Sequence, residues 1–147
     1  MLFAMSMSLV LVLITIWIHF EVFRLTSRVL PRYAQNGHSC VLIVVFGTFV
    51  AHIIEVVPYA GAFYVLEYGL TVGSLTFGPD ATVMDYIYYS IDMYTSLGLG
   101  DVAPDRHLRI ISGIEALNGL VLIGWSASFT FLAMRHYWPL GSSDDAP

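Results

Sequence analysis

Long apolar runs broken by short polar stretches set the pattern of this chain. Three runs are long enough to cross a bilayer as helices, which takes about 20 residues. They are Met7–Phe23, about Cys40–Tyr68 and about Leu108–Met134. A different kind of segment lies between the second and the third. In "DATVMDYIYYSIDMYTS", Asp80–Ser96, the residues Val83, Ile87, Ile91 and Tyr94 recur at helical spacing, and Asp80 can cap the helix they predict. That helix has about 14 residues, too few to span. It runs into "YTSLGLGDVAP", Tyr94–Pro104, whose small, polar and glycine residues are poor material for a membrane helix.

A short apolar helix followed by a glycine loop predicts a re-entrant hairpin, which dips into the membrane and returns to the same face. Irregular backbone at membrane depth is tolerated only where it is buried in protein or lines a water-filled path. Gly98 and Gly100 flank a single residue and allow left-handed dihedrals with carbonyls turned to a common side. A helix C-terminus pointing into the membrane presents its negative dipole end there, which suits a cation. Carbonyl oxygens with a Ser or Thr hydroxyl can replace an ion's hydration shell.

Composition narrows the class. Of 147 residues 57% are hydrophobic and 12% charged, the balance of an integral membrane protein. A single cysteine, Cys40, excludes an intrachain disulfide and a cluster of metal thiolates. The basic residues are six scattered arginines, with no lysine, so nucleic-acid binding has no patch to stand on. Arg24, Arg28 and Arg32 fall between the first two spans and Arg135 follows the third, whereas Arg106 and Arg109 lie on the other side. This asymmetry predicts a cytoplasmic C-terminus and an N-terminus outside. No basic region precedes Met7–Phe23 and no small-residue cleavage site occurs, so a retained helix is expected. The expected organisation is an extra N-terminal helix and arginine loop at 1–36, a pore module at 37–136 and a short tail at 137–147.

"TSLGLGD", Thr95–Asp101, resembles the selectivity filter of the potassium-channel superfamily, whose pattern is T-x-G-[YFL]-G-D. The resemblance extends outward. Asp92 stands where pore helices of several prokaryotic members carry a carboxylate behind the filter, and Tyr88 and Tyr89 where they often carry an aromatic pair. Pro104 and Arg109 match the outer loop and the start of the inner helix, and Gly119 matches the hinge glycine. The likeness covers roughly Cys40–Met134 and leaves the first span outside it. Ser96, Leu97 and Leu99 depart from the commonest Thr, Val and Tyr; leucine at the last place is similar to the second filter of animal two-pore-domain potassium channels. The resemblance implies an all-α integral membrane fold of three transmembrane helices, a re-entrant pore helix and a filter loop, assembled as a homotetramer in the bacterial inner membrane. It implies passive potassium conduction, with potassium held at Ser96, Leu97, Gly98 and Leu99, Thr95 and Gly100 completing the filter, and no cofactor beyond the permeant ion. It also implies that Asp92 and Asp101 support the filter by approaching each other and sharing a proton, the alternative being that Asp92 accepts hydrogen bonds from backbone amides. The partners are then other copies of this chain, the lipid bilayer and monovalent cations.

Ionisable residues within the spans are the other signal. His19, His52, Glu55 and Glu115 lie at membrane depth, where charge is costly. His52 and Glu55 are three apart on one helix face, as are Glu115 and Asn118. A buried hydrogen-bonded network tying the helices together is favoured over a gating sensor. "HIIE" alone offers too few ligands for a metal, and no second motif supplies more. Ser126 and Ser128 lack a positioned base and no catalytic motif occurs, so an enzyme is not expected. For Gly119 a hinge stands beside close helix packing, and Gly124 is expected to pack. Two rivals to a potassium channel remain: a nonselective cation channel, and a non-conducting subunit that modulates a partner.

Overall fold

The computed structural model describes residues 2–33, 37–78 and 81–137. Its helices are α1 (Leu2–Val29), α2 (Gly37–Tyr64), α3 (Val83–Thr95) and α4 (Arg106–Tyr137). The three long ones, α1, α2 and α4, are each long and apolar enough to cross a membrane. α1 and α4 overrun the apolar runs read from the sequence at both ends, and α2 does so at its N-terminal end. In lipid every backbone group must be satisfied within the helix, so the helix continues until water can take over. Near Pro31, which has no amide to donate, α1 tightens into a 3₁₀ turn at Leu30–Tyr33. α2 tolerates Pro58 in its interior and passes into a π turn at Val65–Gly69.

α3 packs against both α2 and α4, and α1 packs on the same two long helices. The core joins Tyr59 and Phe63 of α2, Leu66 of the π turn, Tyr86 and Tyr89 of α3, and Leu108 and Ile111 of α4. Aromatic edges set the fit: the Phe63 and Tyr89 rings meet edge-on at 5.1 Å, and Phe77 and Tyr86 at 4.8 Å. A shared apolar face gains little in lipid, so such interlocking shapes and the hydrogen bonds between helices carry the packing.

α3, with 13 residues, is close to the length of about 14 that the sequence suggests. Its N-cap is Thr82, whose backbone N–H and hydroxyl donate to the Asp85 carboxylate at 2.6 and 2.8 Å. Asp80, the expected cap, lies outside the described residues, as does the tail from 138 to 147. The loops before and after α3 are stitched together. Leu75 and Pro104 form an antiparallel bridge, the Ala103 amide donates to Thr76 Oγ1 at 2.7 Å, and the Asp105 amide donates to the Ser74 carbonyl at 2.9 Å. Glu67 ties this frame to α3, accepting from the Leu75 amide at 3.1 Å and from the Tyr86 hydroxyl at 2.6 Å.

Candidate functional site

The loop after α3 has alternating backbone signs. Ser96, the C-cap of α3, has φ +57°, Gly98 has +64° and Gly100 +79°, while Leu97 and Leu99 stay on the negative side. Alternation of this kind lets successive carbonyls face one way, and only glycine adopts the positive half freely. Ser96 takes the strained half because helix termination stabilises it: its amide reaches back to the carbonyls of Asp92 and Met93. Thr95 Oγ1 donates to the Ile91 carbonyl at 2.7 Å and Ser96 Oγ to the Ala116 carbonyl of α4 at 3.4 Å. The strand itself is uncovered in the single chain. Leu97 and Leu99 are 68% and 60% exposed, and nothing lies within 4 Å of a Cβ placed on Gly98.

Two carboxylates stand behind and beside this strand, each held by a different donor. Asp92 accepts the Leu99 amide on both oxygens, at 3.0 and 3.2 Å. Asp101 accepts the Tyr88 hydroxyl at 3.0 Å. The expected Asp92–Asp101 hydrogen bond is absent among the described residues. The amide-accepting alternative is the arrangement found, because the φ reversal at Gly98 brings the Leu99 N–H to Asp92 before Asp101 comes within reach. The bond from Tyr88 to Asp101 pushes the phenol's pKa above its ordinary value. Tyr89, its neighbour, is buried and lies 2.6 Å from Ser112 Oγ of α4.

Gly119 sits where α4 crosses the end of α3. A Cβ there would lie 2.0 Å from the Tyr94 carbonyl oxygen, so the residue serves close approach of two backbones. α4 runs unbroken through it. Gly124, expected to pack, has nothing within 4 Å in the single chain.

Deeper between the helices lies a polar cluster. His19 Nδ1 of α1 is 2.7 Å from Glu55 Oε1 of α2. The Tyr94 hydroxyl of α3 donates to Glu55 Oε2 at 2.5 Å, and His52 Nδ1 lies 2.8 Å from that hydroxyl and 3.2 Å from Oε2. On the far side of both rings stands Ser126 of α4, its Oγ 3.0 Å from His52 Nε2 and 3.4 Å from His19 Nε2. The cluster therefore joins all four helices. Two sequence expectations change here. His19 adds a third ligand to "HIIE", since the ligand atoms of His19, His52 and Glu55 all lie within 4.8 Å of one another. Ser126 also does have imidazoles beside it; but it lies inside α4, where the amides serve the helix and no N–H pair is free to hold an oxyanion. The sequence does not announce Tyr94 and Ser126 as members of this network: Tyr94 falls in the helical spacing of α3, which marks a packing face, and Ser126 lies in an apolar run without an ionisable partner at helical spacing.

Glu115 does not join that cluster. Ser90 Oγ donates to its Oε1 at 2.5 Å, within reach of the Val56 carbonyl at 3.0 Å, and its Oε2 has no partner among the described residues. Asn118 donates to Thr15 Oγ1 at 2.8 Å, fastening α4 to α1.

Three spanning helices, a short helix that stops inside them and an extended glycine loop braced from behind define a membrane protein of the re-entrant pore class. The ion channel family model, of the two-helix potassium-channel-like type, matches residues 39–136, and the chain belongs to that family with α1 as an additional apolar helix. No curated protein and no solved structure matches the chain.

Proposed function

We propose that this ion channel is a homotetramer that conducts potassium passively through a ring of four Thr95–Gly100 strands. One observation carries the reading: φ alternates in sign from Ser96 to Gly100, on a strand hung from Asp92 and left uncovered on its other side. One chain supplies one such strand, and a ring of carbonyls able to strip an ion's water needs several copies around a closed axis. Potassium would sit at Ser96, Leu97, Gly98 and Leu99. Leu99 removes the aromatic hydroxyl that many relatives use as a brace, and here the Asp92 carboxylate on the Leu99 amide stands in for it. The arginine asymmetry supports a cell-membrane orientation with the N-terminus outside, the C-terminus in the cytoplasm and the filter facing out.

The test is flux from the purified chain in liposomes. Reversal potentials in mixed sodium and potassium should follow the potassium gradient, and the mass of the detergent-solubilised particle should correspond to four chains. Equal permeability would leave a nonselective cation channel, absence of flux a modulatory subunit, and a monomer would end the ring.

A further inference from the structure

We propose that His19, His52 and Glu55 form a binding site for a divalent transition metal of the zinc class, with Tyr94 as its fourth donor. The inference does not rest on potassium selectivity or on conduction.

Two imidazoles and a carboxylate are a donor set that zinc takes readily. Around a tetrahedral zinc, with bonds of about 2.0–2.1 Å, ligand atoms stand about 3.3 Å apart. The pairs here lie at 2.7 Å for His19 Nδ1 to Glu55 Oε1 and 3.2 Å for His52 Nδ1 to Glu55 Oε2, so a small outward movement of His19 makes room. The Tyr94 hydroxyl, near both His52 Nδ1 and Glu55 Oε2, faces the same point.

Ser126 is the observation that separates a metal site from a simple polar cluster. Metal-bound histidines almost always donate their second ring N–H to an outer partner that fixes the ring. Both rings here turn Nδ1 toward Glu55 and Nε2 toward one hydroxyl oxygen, which has two lone pairs and can accept both N–H groups. That tautomer leaves both Nδ1 lone pairs facing inward beside the Glu55 carboxylate, where the Tyr94 hydroxyl has one hydrogen for His52 Nδ1 or Glu55 Oε2 and a cation would serve all of these acceptors. Without one, the hydrogens do not match the contacts. With both imidazoles neutral, His19, His52, Tyr94 and Ser126 bring four hydrogens to six contacts, and a metal on the inward side removes that shortfall. The buried Glu55 charge also has no arginine partner among the described residues, and a carboxylate at such depth is costly without a compensating positive centre. Access is from the His52 side. That side chain is partly exposed and borders an apolar cavity of about 280 Å³ shared with Tyr94, Thr95 and Ile91. A bound metal would clamp α1 and α2 to Tyr94, one residue before the filter loop begins.

The full chain, purified, stripped with a chelator and dialysed against zinc, should hold one zinc per chain by elemental analysis. It should also melt several degrees higher than the stripped form. His19→Gln and His52→Gln should each lose the bound zinc and the melting shift, and Ser126→Ala should weaken binding about 10- to 100-fold. His107→Gln, outside the cluster, should bind as the parent does. Should the histidine variants fail to fold, cobalt on the unaltered chain decides: the intense visible absorption of tetrahedral nitrogen–oxygen ligation is expected. Zinc well below one per chain, a cobalt spectrum of the aquated ion, or undiminished binding by the folded His19→Gln/His52→Gln double variant would overturn the site. The first two outcomes would leave the cluster as a proton-held link between helices.

Discussion

At Gly98 the backbone φ of +64° is one that a side chain adopts only under strain, although no neighbour in the chain stands in the way of a Cβ. The cost of Gly98→Ala is therefore conformational, of order 1–3 kcal/mol, and falls on the loop. Flux should disappear while the mass of the particle and its helix content stay unchanged; parent-like currents would refute the assignment of the filter. Gly119 presents the opposite case. Its φ is helical, and a Cβ would meet the Tyr94 carbonyl at 2.0 Å, a backbone atom that cannot turn aside. Gly119→Ala should push α3 away from α4 and lower stability by about 1–3 kcal/mol. A thermal melt in detergent checks this: an unshifted melting temperature would mean that the two backbones separate without loss, and a hinge role would then be the better account of the glycine.

At the scale of the element, α3 is 13 residues long and depends on its ends. The Thr82 backbone N–H beside Asp85 holds that carboxyl below its usual pKa, with the Thr82 hydroxyl helping. A carboxyl whose folded pKa is lowered contributes stability that is present above its unfolded pKa, near 4, and lost as pH falls through the folded value. Asp85→Asn should therefore melt slightly below the parent at neutral pH and match it once the medium is well below pH 4. Because the group is exposed, salt should shrink the difference. A gap that persists in acid would show that the side-chain shape, not the charge, matters at this cap.

For the whole molecule, in the proposed tetramer the charges that follow the glycine loop would act on an ion before it enters. Asp101 and Asp105 follow the loop, and in a ring of four chains they surround the entrance. Their settings differ. Asp101 is tied to Tyr88, whereas Asp105, exposed, has Arg106 Nε at 3.5 Å, which offsets part of its field. Asp105→Asn should lower single-channel conductance more at low ionic strength than at high, because screening shortens the reach of a surface charge. Arg106→Gln should act in the opposite direction under the same conditions. Equal changes at both salt concentrations would remove the steering role from this pair.

The apolar runs and the glycine pattern carried most of the architecture. A span of about 20 apolar residues in lipid has almost no alternative to a helix, and closely spaced glycines favour the left-handed backbone found at Gly98 and Gly100, so both are written locally. The three long helices, the short α3 and the loop at Ser96–Gly100 were legible for that reason, as was the place of His19, His52, Glu55 and Glu115 within the long helices. Partner choice was not. The Leu99 amide reaches Asp92 and the Tyr88 hydroxyl reaches Asp101 only because the loop doubles back on α3. His19 reaches Glu55, and Ser126 reaches both imidazoles, across separations of 36, 107 and 74 residues. Such contacts depend on how helices cross and rotate against one another. In lipid that geometry comes from interlocking shapes such as Gly119 against Tyr94, which no local pattern of polarity encodes.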